Sequence, residues 1–133
     1  MKTELKNAWI DALRSGAFTQ GEGSLNVNDT FCCLGVVCEV ARDMGYPVEK
    51  GKPDWNEEGN QFGYKAKGEA DQNEEWLTKG LMELFDVTEK EQRLLAFYND
   101  GGFHPDEIHS LVPHKPKTFD EIADELEDMI DED

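Results

Sequence analysis

Residues 31–44 constrain this chain more than any other stretch, because they are apolar on nearly every side of a helix. Phe31, Leu34, Val37, Cys38 and Ala41 share one side, and Cys33, Val36 and Val40 share another. A helix without a polar face belongs at the centre of a fold, so the rest of the chain must be what covers it. Asn28-Asp29-Thr30 offers caps for its start, and Gly45 and Pro47 stop it. Gly35 lies in its middle, where glycine costs about 1 kcal/mol relative to alanine. A neighbouring backbone that comes too close for a side chain would explain that residue. Cys32, Cys33 and Cys38 all fall in or against this segment. An odd, clustered set of this kind reads as reduced, buried thiols, and it lacks the two-residue spacer of a zinc knuckle.

The covering elements can be read from their periods. Leu5, Ala8, Trp9, Ala12 and Leu13 form an amphipathic stripe, with Thr3 placed to cap it and Gly16 to end it. Residues 17–27 read as a short hairpin around Gly21-Glu22-Gly23. Residues 46–73 are polar and glycine-rich, and Glu58-Gly59-Asn60 could turn a second hairpin with Trp55, Phe62 and Tyr64 gripping from outside. The alternative for that stretch is a mobile insertion whose aromatics form a ligand or partner surface.

From Glu74 a helical stripe returns through Leu77, Leu81, Leu84 and Phe85, with Trp76 beside it. Thr88-Glu89-Lys90-Glu91 and Thr118-Phe119-Asp120-Glu121 are capping boxes. The first opens a helix with Leu94, Leu95 and Tyr98 facing inward; the second opens one with Phe119, Ile122, Ala123, Leu126, Met129 and Ile130 as its stripe. Between them, residues 103–117 read as a loop insertion, with one helical turn at Pro105-Asp106-Glu107-Ile108. The expected fold is α+β and mostly helical: about five helices around the 31–44 helix, with one or two small β-hairpins. At 133 residues the chain has the length of a single domain, 1–133.

Thirty acidic residues face thirteen basic ones, for a net charge of −17. That surface repels nucleic-acid backbones and anionic membranes and attracts basic surfaces. No run approaches the roughly 18 apolar residues of a membrane span, and the start is not a secretory leader, so a cytoplasmic setting without membrane contact is expected. Residues 118–133 carry nine acids and no base. Burial of five large apolar side chains, at about 1.5–3 kcal/mol each, should still dock this helix against like-charge repulsion of a few tenths per pair. Asp120, Glu121, Asp124, Glu125, Glu127 and Asp128 then point outward. They are a solvated face first and a candidate partner-binding face second.

The residues Trp9, Ala12-Leu13-Arg14-Ser15-Gly16, Gln20, Gly23, Leu25 and Cys32-Cys33-Leu34-Gly35-Val36-Val37-Cys38 carry a family resemblance. This stretch resembles a group of small uncharacterised bacteriophage and prophage proteins with the signature W-x-x-A-L-R-S-G…Q-x-x-G-x-L…C-C-L-G-V-x-C. Leu95 to Asp100 and Phe119 to Asp124 are similar to that group's ending. The match covers residues 5–45 well and 90–130 loosely; residues 46–89 and the histidine-bearing 103–117 depart from it. The resemblance implies a phage source for the chain, in a bacterial host, and supplies no catalytic residues. Its polar positions Arg14, Gln20, Asn99 and Asp100, with Trp9, either line a pocket or form a buried structural network.

Chemistry is otherwise thin. His104, His109 and His114 recur every five residues, which fits neither a helical face nor a strand, so loop histidines rather than a metal centre are expected. A thiol nucleophile needs a lowered pKa, and the apolar surroundings of Cys32 and Cys33 would raise it. No nucleotide fingerprint, hydrolase elbow or metalloprotease motif is present, and no cofactor is expected. The leading expectation is a non-enzymatic acidic binder that inhibits a host nucleic-acid-binding or defence protein by imitating phosphate charge on its basic surface. The alternatives are a nucleotide-like small-molecule binder or minor enzyme, and an accessory or structural protein.

Overall fold

The computed structural model describes residues 1–102 and 114–129. In chain order the elements are α1 (Thr3–Ser15), β1 (Thr19–Gln20), β2 (Asn26–Val27), β3 (Thr30–Phe31), α2 (Cys33–Asp43), β4 (Val48–Gly51), β5 (Gln61–Ala66), α3 (Lys79–Phe85), α4 (Glu89–Asp100) and α5 (Phe119–Asp128). The fold is α+β and mostly helical, with five helices and one small mixed sheet in the order β1-β3-β2-β5-β4. Pairing is antiparallel except between β1 and β3. No helix among the described residues is long and apolar enough to cross a membrane.

The apolar segment does sit at the centre. Eight of the eleven residues of α2 are buried, from Cys33 through Cys38 and then Val40 and Ala41. It packs against α1, α4, β3 and β4, and α5 closes over α1 and α4. The buried apolar side chains make one cluster, with Trp9, Tyr64 and Phe85 its largest members. The close backbone approach inferred at Gly35 is made by Leu25, whose carbonyl oxygen lies 1.7 Å from where a β-carbon would stand. Both capping boxes form, at Thr88 with Glu91 and at Thr118 with Glu121. Gly16 takes the left-handed stop expected of it, at φ 77°.

Several local expectations are corrected. Asn28 and Asp29 do not cap α2. They form the two-residue turn between β2 and β3, with φ 50° and 61°, the twist a tight hairpin requires. The first hairpin is therefore 26–31 rather than 17–27, and residues 19–20 pair in parallel with β3 instead of turning back. α2 accordingly begins at Cys33, with Cys32 in the cap position but making no side-chain cap, rather than at Phe31. At α1 the cap position belongs to Lys2, and Thr3 is the first helical residue.

The second hairpin exists as β4 with β5, but its connection is a longer crossing that contains a 3-10 turn, Asp54–Asn56. Residues 74–77 are not helical; α3 starts at Lys79, capped by the Thr78 hydroxyl. In α4 the buried positions are Gln92, Leu95 and Asn99, with Leu94 and Tyr98 only half-buried. The turn read at 105–108, His104, His109 and the end of the last stripe at Ile130 lie outside the described residues.

Candidate functional site

α5 does dock, burying Phe119, Ile122, Ala123 and Leu126. Its acidic face is less free than its composition implies. Arg14, at the end of α1, bonds Asp124 at 2.6 Å through one guanidinium nitrogen and Glu127 through another. Those bonds hold the Glu127 carboxyl below the usual carboxylate range. Glu121 is lowered by the backbone N–H of Thr118 within its capping box. Glu125 lies 3.8 Å from the Lys117 ammonium. Asp120 and Asp128 make no ion pair among the described residues and are exposed.

Of the five pocket candidates, three come together. Asn99 is fully buried, and its Oδ1 accepts from the Cys33 N–H at 3.1 Å and from Gln20 Nε2 at 3.1 Å. Its Nδ2 donates to the Gly21 carbonyl at 2.8 Å and to Asp100 at 2.9 Å. Asp100 in turn accepts from the Gly23 N–H at 3.2 Å. Gln20 also donates to the Lys117 carbonyl at 2.8 Å and accepts from the Phe119 N–H at 3.0 Å. This network ties the 20–23 loop, the start of α2, the end of α4 and the start of α5 together. Trp9 joins its edge by donating to the Cys33 carbonyl at 2.9 Å. Arg14 stands apart from it, committed to α5. No buried side-chain nitrogen or oxygen among the described residues lacks a partner, so these groups are already occupied by the protein itself.

A second polar network was not legible beforehand. The buried Tyr64 hydroxyl accepts from Asn26 Nδ2 at 3.0 Å and donates to Glu39, whose carboxylate also holds Arg42 and Lys50, each at 3.1 Å. Burial, together with the bond to Glu39, pushes the Tyr64 phenol up and keeps it protonated.

The three thiols are buried and reduced. Burial pushes Cys32 up to about 11 and raises Cys33 and Cys38 well above the ordinary thiol value. A thiol held protonated in this way is a poor nucleophile. Two outcomes follow. Native protein at neutral pH should take up no iodoacetamide, whereas unfolded protein should take up three equivalents by intact mass. Stability should also hold up to about pH 8.5 and then fall as pH rises. Unfolded thiols ionise from there on while the folded ones do not, each costing about 1.4 kcal/mol per pH unit. A melting point unchanged between pH 8 and pH 10 would contradict this.

An open concavity lies elsewhere, where the β4–β5 connection faces residues 70–76. Two depressions of about 300 and 350 Å³ meet there, and Trp55, Gln72 and Glu74 line both. Lys52, Asp54, Lys65 and Asp71 complete the first, and Gln61, Asn73, Glu75 and Trp76 the second. Trp55 is 71% exposed and Trp76 41%. The wall opposite Trp55 is firmly built. Asn73 exchanges backbone bonds with Tyr64, and its side chain accepts from the N–H groups of Glu75 and Trp76 at 2.8 and 3.0 Å. The Glu74 carbonyl accepts from Leu25, and Gln72 donates to the Gly51 carbonyl at 2.9 Å. The wall lies so close to β5 that a β-carbon on Gly63 would stand 2.9 Å from the Asn73 carbonyl oxygen. The sequence itself places Trp55 among the outward aromatics of 46–73. Trp76 stands in the sequence beside a helical stripe, and nothing local to it signals the bridge between Asn73 and Tyr64 that brings it here.

Among the described residues, no group of three or more His, Cys, Asp or Glu side chains is arranged to hold a metal ion. His114 lies edge-on to Phe97. No curated protein and no solved structure gives a match to the chain. The model of a family described as a domain of unknown function, DUF8296, matches residues 1–130, which takes in every element of the fold. The chain belongs to the DUF8296 family.

Proposed function

We propose that this chain is a non-enzymatic acidic binding protein, of the kind a bacteriophage uses, that covers a basic nucleic-acid-binding surface on a protein of its bacterial host. The observation that carries the reading is the charge imbalance of thirty acidic against thirteen basic residues. Five of the thirteen cations are also spent at home. Arg14 serves Asp124 and Glu127, Arg42 and Lys50 serve Glu39, Lys65 serves Glu49, and Lys117 serves Glu125. Asp54, Asp71, Glu75, Asp120 and Asp128 have no such partner among the described residues and are left to act on the surroundings. Proteins that hold DNA or RNA do so with tracks of lysine and arginine, for which surface carboxylates can compete with phosphates. The protonated, buried thiols support the non-enzymatic half of the reading, because they withdraw the most reactive nucleophiles in the chain. The likeness of residues 5–45 to phage-encoded proteins supports the source.

Affinity capture from bacterial lysate tests this. The immobilised chain should retain a basic nucleic-acid-binding protein that elutes when salt is raised from about 0.1 M to about 0.5 M, where screening shortens below 10 Å. Retention of no protein above a control of similar charge would contradict it.

A further inference from the structure

We propose that the depression between the Asp54–Asn56 turn and residues 71–76 anchors an arginine or lysine side chain of the basic partner. This rests on the reading above and gives it an address. The first observation is the two tryptophans. Among the described residues only three large apolar side chains are exposed, Met44, Trp55 and Trp76, and two of them line one depression. Exposed tryptophan on an ordered backbone is a common anchor of interfaces. Here the backbone under Trp76 is held by the Asn73 side chain and by the bridge to Tyr64. The surface is therefore formed before anything binds, and little ordering has to be done on contact.

Charge selects the occupant. Asp54, Asp71, Glu74 and Glu75 line the two depressions, against Lys52 and Lys65. Lys65 is already paired with Glu49 at 3.8 Å, and the four carboxylates outnumber the two lysines. The residual field is negative and lies beside indole faces. A cation that is flat or carried on an apolar stem satisfies both, stacking on the ring while its N–H groups meet carboxylates. A nucleic-acid base would also stack on indole, but its phosphates would meet four carboxylates.

Titration calorimetry of the intact chain tests this with a nine-residue peptide bearing three arginines and with its citrulline counterpart, a neutral near-isostere. The arginine peptide should bind, and the citrulline peptide at least about tenfold more weakly. Trp55→Ala and Trp76→Ala should each weaken arginine-peptide binding by about tenfold, while Trp55→Phe, which keeps a ring, should lose less. Both tryptophans are exposed, so the variants should melt within a few degrees of the parent; that comparison shows that the fold is intact. A double variant on α5, Asp120→Asn with Asp128→Asn, removes two charges from another face and should weaken binding less than threefold. Equal binding of the arginine and citrulline peptides overturns the proposal. So does arginine-peptide binding that is indifferent to both tryptophans, and in that case the wider charge reading stands. No binding of the arginine peptide at low salt overturns both.

Discussion

Gly35→Ala should be the most damaging single-methyl change in this chain, costing about 3 kcal/mol or more of stability. Helix propensity alone predicts the opposite, a gain of about 1 kcal/mol for replacing a glycine inside a helix. The difference in sign comes from the 1.7 Å that separates the added carbon from the Leu25 carbonyl oxygen, with the carbonyl carbon at 2.6 Å. Neither atom can rotate aside, because both are backbone. Leu25 cannot retreat either: its side chain is fully buried, and its N–H is bonded to the Glu74 carbonyl at 2.8 Å. α2 must therefore move off the strand, which opens the centre of the core. Urea denaturation measures the loss directly, with the midpoint shifting and the slope preserved if the fold survives. A Gly35→Ala variant as stable as the parent would show that α2 and Leu25 do not touch.

Asn99→Ala should cost about 3 kcal/mol and loosen α5 selectively. Each buried group left without its partner costs about 1–3 kcal/mol, and truncation here strands the Cys33 N–H and the Gly21 carbonyl. Gln20 then loses its own support at Asn99, and it is Gln20 that holds the Lys117 carbonyl and the Phe119 N–H at the start of α5. Amide hydrogen exchange should therefore quicken in α5 more than in α2, which keeps its packing on α1 and β4. Uniform quickening across the whole chain would instead mean that the network has no special hold on α5.

What could be read in advance follows the range of the interaction behind it. The capping boxes at Thr88 and Thr118 are four-residue events, and both form as the sequence implies. The central place of α2 follows from its own apolar surface. Gly35 announced that something came close, but not that the something was Leu25, which reaches it across a hairpin. The sheet was the least legible part because three of its five strands are two residues long. Alternation needs at least four residues to be seen, so Asn28-Asp29 looked like a helix cap rather than a turn.

The candidate sites divide in the same way. Counting carboxylates on α5 was possible from sequence, but the commitment of Asp124 and Glu127 to Arg14, more than a hundred residues earlier, was not. The pattern groups Arg14, Gln20, Asn99 and Asp100 with Trp9; the contacts of Asn99 tie Gln20 and Asp100 to Cys33 and Gly21, whereas Arg14 bonds α5 instead. The Trp55–Trp76 depression depends on the bridge between Asn73 and Tyr64, a contact that no local period encodes.

The central question is whether the acidic surface replaces nucleic acid on a basic one. The direct measurement is competition: the captured partner, bound to a duplex DNA probe, titrated with this chain at about 50 mM and about 200 mM salt. Displacement of the probe is expected at both, with the chain's affinity falling severalfold or more over that interval, as a contact dominated by charge pairing would require. A ternary complex in which partner, DNA and chain coexist, or an affinity that does not change with salt, would contradict it.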